Sequence, residues 1–110
     1  MSGNLPALPD LPNLRLFHIT IHFHKELDTE GLKKAFEKAL DWIHYMPTCW
    51  MVLTSSDEQR WYGRLMPLLG DADTMLICQV DPKKIYGWME RWVIDWINQS
   101  QERIEKSRTT

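Results

Sequence analysis

From Leu14 to Lys25 the chain reads LRLFHITIHFHK, and from Phe17 to His24 its side chains change in kind at every step. Phe17, Ile19, Ile21 and Phe23 fall into one set, and His18, Thr20, His22 and His24 into the other. An α-helix would scatter both sets around its surface, whereas a strand sends successive side chains to opposite faces. The alternation predicts a strand with one face in a core and the other at least partly polar. No strand is stable alone, so the remainder of the 110 residues has to provide partner strands and a cover for the apolar face.

The next segment switches period. Leu32, Ala35, Phe36, Ala39 and Leu40 make a helical stripe across 28–41, with Asp28 or Thr29 as N-cap. Residues 42–54 then admit two readings: strands 42–46 and 48–54 folded back at Pro47–Thr48, or a helix running on to Tyr45 followed by one strand. The hairpin is the reading adopted. Ser55 with Glu58 has the spacing of a capping box, so a second helix should start there and be ended or kinked by Pro67. DTMLICQVD, 73–81, is an apolar run of strand length. Asp81 before Pro82 has the form of a helix start. A third helix is therefore expected to carry Ile85, Trp88, Met89, Trp92, Val93 and Trp96, then to fade into a polar tail.

The order β-α-β-β-α-β with an added helix is that of a ferredoxin-like split βαβ unit. The fold class expected is thus α+β: an antiparallel sheet with helices on one face, plus a C-terminal helix. Connection rules place the first strand between the third and the fourth, which turns its odd-numbered apolar face to the helices and its histidine face to an open side. Residues 1–13, with three prolines and Leu5, Leu8 and Leu11, read as an arm that either lies in a groove or hangs free; 14–100 form one domain and 101–110 a tail.

Bulk properties narrow the function classes. A chain of this length buries roughly two-thirds of its unfolded surface, enough for a core without metal or disulfides. The net charge of −2 lacks the excess of Lys and Arg usual in nonspecific DNA binders. Cys49 and Cys78 both sit in apolar runs and read as a reduced, buried pair. No run approaches the ~18 apolar residues of a membrane span, and no signal peptide stands at the start; a cytoplasmic protein is expected. Six tryptophans are unusual for this length: large aromatics can enlarge a small core, and any surplus beyond core needs would point to an interface.

DWIHYMPTCWMVLTSS, RLMPLLGDADTMLICQV and GWMERWVIDWIN, taken in that order over 41–97, resemble the small bacterial proteins labelled SinR-like. The shared features are a Trp–His–Tyr strand, a Thr-x-Trp hairpin partner, an Asp before a buried strand, and a Gly-Trp near a Trp-rich end. These proteins are in turn similar in outline to the small ferredoxin-like subunit of the CRISPR adaptation complex. The resemblance implies a ferredoxin-like fold and a homodimer. Relatives of the CRISPR type often end the first strand on a metal-binding Asp; this chain reads HFHKE there, with no Asp before Asp28.

Several constellations bear on chemistry. His22 and His24 lie two apart on a strand face, roughly 6.5–7 Å between Cβ atoms. Such a pair can share a zinc ion once a third ligand arrives, with His44 and Glu26 as candidates; the plainer reading is a wet or subunit-facing row that includes His18. Trp88, Trp92 and Trp96 recur every four residues and form either a packing face or an aromatic interface. Trp50 is expected on the open face with Val52, beside the histidines, where subunit contact explains it best. Lys83, Lys84, Arg91, Arg60 and Arg64 are interleaved with acids, as on a mixed solvated surface. A non-catalytic homodimeric interaction protein, with a protein partner also allowed, is the leading expectation. Its alternatives are a metal-dependent hydrolytic enzyme built on His22 and His24, and a nucleic-acid-binding scaffold.

Overall fold

The structure is a computed structural model, and it describes residues 13–109; the proline-rich arm thus lies outside the described residues apart from Asn13. Asn13 itself takes the left-handed conformation, φ 56°, which Asn tolerates better than most residues. The chain then forms β1 (Arg15–His22), α1 (Thr29–Phe36), β2 (Asp41–Met46), β3 (Cys49–Thr54), α2 (Glu58–Leu65), β4 (Thr74–Val80) and α3 (Arg91–Thr109). Single 3₁₀ turns occupy Met66–Leu68 and Pro82–Lys84. The four strands make one antiparallel sheet in the order β2-β3-β1-β4. Residues 42–54 are the hairpin, and β1 lies between β3 and β4 as the connection rules require.

Local signals account for most boundaries. Asp28 caps α1 by accepting from the Gly31 N–H at 2.9 Å. A Cβ on residue 31 would come within 2.5 Å of the Asp28 carboxylate and 2.8 Å of Leu68, so any other residue there would shift those two side chains. The helix stops at Phe36, shorter than the stripe implied. In α2 the cap is Asp57, which accepts from the Arg60 N–H at 2.9 Å, in place of the Ser55–Glu58 box. Pro67 lies two residues past the end of α2, inside the 3₁₀ turn Met66–Leu68, so the helix ends where the proline was expected to stop it.

Two cores lie on the two faces of the sheet. On the first, Phe17, Ile19 and Ile21 of β1 and Trp50 and Val52 of β3 pack under Leu32, Phe36, Trp61 and Leu65 of α1 and α2. Phe36 is the hub, with its ring centroid 5.4 Å from Trp42, 5.5 Å from Trp50 and 5.9 Å from Trp61. On the second face, Leu14, Leu16, Met51 and Leu53 pack under Val93, Trp96, Ile97 and Ile104 of α3. The histidine face is therefore not fully open: α3 covers one end of it.

The C-terminal third departs most from expectation. Asp81 and Pro82 do start a helical turn, with Asp81 accepting from the Lys83 N–H, but it is one 3₁₀ turn and ends at Lys84. Residues 85–90 are irregular, and α3 begins only at Arg91. It then runs through the segment read as a polar tail, burying Ser100, Ile104 and Ser107. Asp41 at the start of β2 holds it in place, accepting from Trp96 Nε1 at 3.1 Å and Arg103 Nη1 at 3.3 Å. Among the described residues no helix is long and apolar enough to cross a membrane.

Candidate functional site

The four histidines separate. His18 is half-buried on the α3 face, and its Nε2 hydrogen-bonds the Tyr45 hydroxyl across two strands. Burial pushes its pKa below the ordinary value. His22 closes β1 on the same face; His24 lies past the strand end, and the two rings stack at 4.7 Å. His24 also reaches the nearly buried Asp73, with its N–H donating to Oδ1 at 2.8 Å and its Nδ1 3.6 Å from the same oxygen. Asp73 further accepts from the Gly70 N–H at 2.8 Å, and these backbone donors, Gly70 before His24, hold its carboxyl below the usual range. It thus ties the end of β1 to the start of β4.

Neither proposed third ligand joins His22 and His24. His44 stacks on Trp50 at 4.2 Å, on the opposite face of the sheet. Among the described residues no three of His, Cys, Asp and Glu come together as a metal-ligand set, Glu26 included.

The tryptophans also redistribute. Trp50 is not on the half-open face: only 2% exposed, it lies with Val52 beneath α1 and α2. The Trp88, Trp92, Trp96 helix stripe does not form, because Trp88 precedes α3. Trp96 is buried against Asp41, Trp92 is 47% exposed, and Trp88 is 99% exposed. Tyr86, two residues earlier, is fully exposed as well.

Beside these rings α3 and the sheet leave a cavity of about 310 Å³. Its floor is His18, Tyr45 and Met51, its helical wall includes Val93 and Ile97, and Ile85 belongs to the irregular segment at its rim. Burial, with Cys49 nearby, raises the Tyr45 hydroxyl to about 12. With the His18 shift downward, the floor is an uncharged hydrogen-bonded pair at neutral pH. Beyond the cavity the sheet face continues as Thr20, Leu76 and Cys78, with Leu76 opposite Thr20 and Cys78 opposite His18 in the register. Leu76 is 65% exposed, and Cys78 is exposed too, in contrast to the buried Cys49. The two thiols flank β1 from either side, opposite Thr20 and His18, so their Cα atoms lie about 12 Å apart by strand spacing and rise, beyond the ~7 Å Cα limit for a disulfide.

The chain matches no family model, no curated protein and no solved structure.

The basic residues do not converge. Arg60 and Arg64 lie on α2, with Arg64 over the Trp61 ring at 4.7 Å, while Lys83 and Arg91 lie on the α3 side of the sheet. Lys83 pairs with Glu105 at 3.5 Å and Arg91 with Asp95 at 3.2 Å. Sequence reasoning assigned no site role to Tyr45, Asp41, Asp73 or Tyr86. A signal existed for Tyr86: Gly87 sits inside the supposed third helix, where glycine costs about 1 kcal/mol relative to alanine.

Proposed function

We propose that this chain is a non-catalytic interaction module of ferredoxin-like type that works as a homodimer in the cytoplasm. The observation that carries this reading is the pair of fully exposed rings, Tyr86 and Trp88, standing beside an apolar cavity on the half-covered face of the sheet. A solvent-exposed indole next to apolar surface is characteristic of a recognition site, since Trp and Tyr are enriched at interfaces. The β2-β3-β1-β4 order supports the ferredoxin-like assignment. The resemblance to SinR-like proteins points the same way. Light scattering across protein concentration tests it: a dimer is expected at tens of micromolar, and a monomer throughout would overturn the reading.

A further inference from the structure

We propose that Trp88 of each copy seats in the apolar cavity of a second copy, above His18 and Tyr45, so that two identical seats close the dimer. The inference rests on the homodimer reading above and names the surface that makes it.

Plug and socket lie side by side in one chain. Ile85, Tyr86, Gly87 and Met89 line the cavity, whereas Trp88 between them takes no part in it and stands in solvent. A short segment that builds its own chain's socket and presents a ring outward suits a two-fold contact, where the same patch serves both partners. Size agrees: about 310 Å³ is at the low end of the ~300–1,000 Å³ typical of ligand pockets, room for one ring system and little more. Chemistry agrees also, because an aromatic ring entering over His18 and Tyr45 strips water from no charged group.

Area provides a further check. Tyr86 and Trp88 together leave roughly 300–500 Å² exposed per protomer, at about 150–250 Å² for each whole aromatic side chain. A standard interface takes about 800 Å² from each partner. Leu76 and the uncovered sheet face around Thr20 extend the same surface towards that figure.

Sedimentation equilibrium of four samples, wild type, two variants and the variants mixed, tests the seat. Trp88→Ala removes the plug and leaves the socket. Asn98→Trp, at an exposed position that lines the cavity, fills the socket and leaves the plug. Each alone is expected to weaken self-association at least about tenfold, the effect of losing an interface hot spot. Mixed together they retain one intact seat, the Asn98→Trp copy's Trp88 in the Trp88→Ala copy's cavity. The mixture should therefore associate more tightly than either variant alone. If wild type is monomeric, the homodimer reading falls and the seat with it. If wild type dimerises and Trp88→Ala leaves its affinity unchanged, the dimer stands and the seat is overturned. Two weakened variants with no recovery on mixing would likewise overturn it, since Trp88 would then contact something other than the cavity.

Discussion

The two faces of this sheet are packed to different degrees. Under α1 and α2 the apolar residues of β1 and β3 are sealed, and Phe36 sits against three tryptophans. Under α3 the seal covers one end only: Leu14, Leu16, Met51 and Leu53 are buried, but Leu76, Cys78 and His22 are left exposed. Both faces carry large apolar side chains. What separates them is how fully the central strands β1 and β3 are covered: on the first face Phe17, Ile19, Ile21, Trp50 and Val52 are all buried, whereas on the second His18 and Thr20 are only half-buried and His22 is exposed. On the proposed reading, stability is concentrated on the first face and recognition on the second.

The sharpest break of that comparison is at Phe36. Phe36→Ala should cost about 3–5 kcal/mol, because it deletes a fully buried ring and leaves a cavity among stacked aromatics. Urea unfolding measures it; a loss near 1 kcal/mol would mean that the first face is no tighter than the second. A smaller effect is expected at Asp41, which fixes α3 to the sheet. Asp41→Ala removes the acceptor shared by the Trp96 N–H and the partly exposed Arg103 guanidinium and should cost about 0.5–1.5 kcal/mol. Asp95→Ala, which removes only the exposed pair with Arg91, serves as control and should stay within about 0.5 kcal/mol.

How far the sequence disclosed this difference varies with the element. The alternation of 14–25 settled which side of β1 meets α1 and α2, because a period of two leaves no choice of face. CWMVLT is apolar at nearly every position, so its parity is silent; only pairing of Trp50 with Ile19 sends that indole to the first face. The last helix was hidden for another reason. Its buried positions Val93, Ile97, Ser100, Ile104 and Ser107 are spaced for a helix, but two are serines, which blur the apolar stripe. Ser107 makes up for its polarity by donating to the Ile104 carbonyl at 2.7 Å. The cavity was least legible, since Tyr45, Val80 and Ile97 meet only through tertiary folding.

A gentler probe of the second face is pH. Burial lowers the His18 pKa from 6.5, so the folded chain takes up that proton less readily than the unfolded chain. Above 6.5 both states are neutral there and His18 contributes no slope. As pH falls below 6.5 the unfolded chain binds the proton first, and stability declines until the folded pKa is passed. His18→Gln should flatten this part of the urea-midpoint profile. Asp73 acts in a separate window: its pKa is lowered from 3.8, so its stabilisation is present above that value and lost only as pH falls below it. A profile unchanged by His18→Gln would show that the cavity floor is wet.

The smallest expected effect is the most discriminating. In dilute solution, where the chain is monomeric, Trp88→Ala should change the unfolding free energy by no more than about 0.5 kcal/mol, because an exposed ring gives up little on unfolding. A tryptophan that leaves the monomer's stability untouched but weakens self-association would be a recognition residue by the plainest physical standard, since its apolar surface finds cover only in the dimer. A large loss in the monomer would instead make residues 85–90 part of the second core, and the contrast between the two faces would disappear.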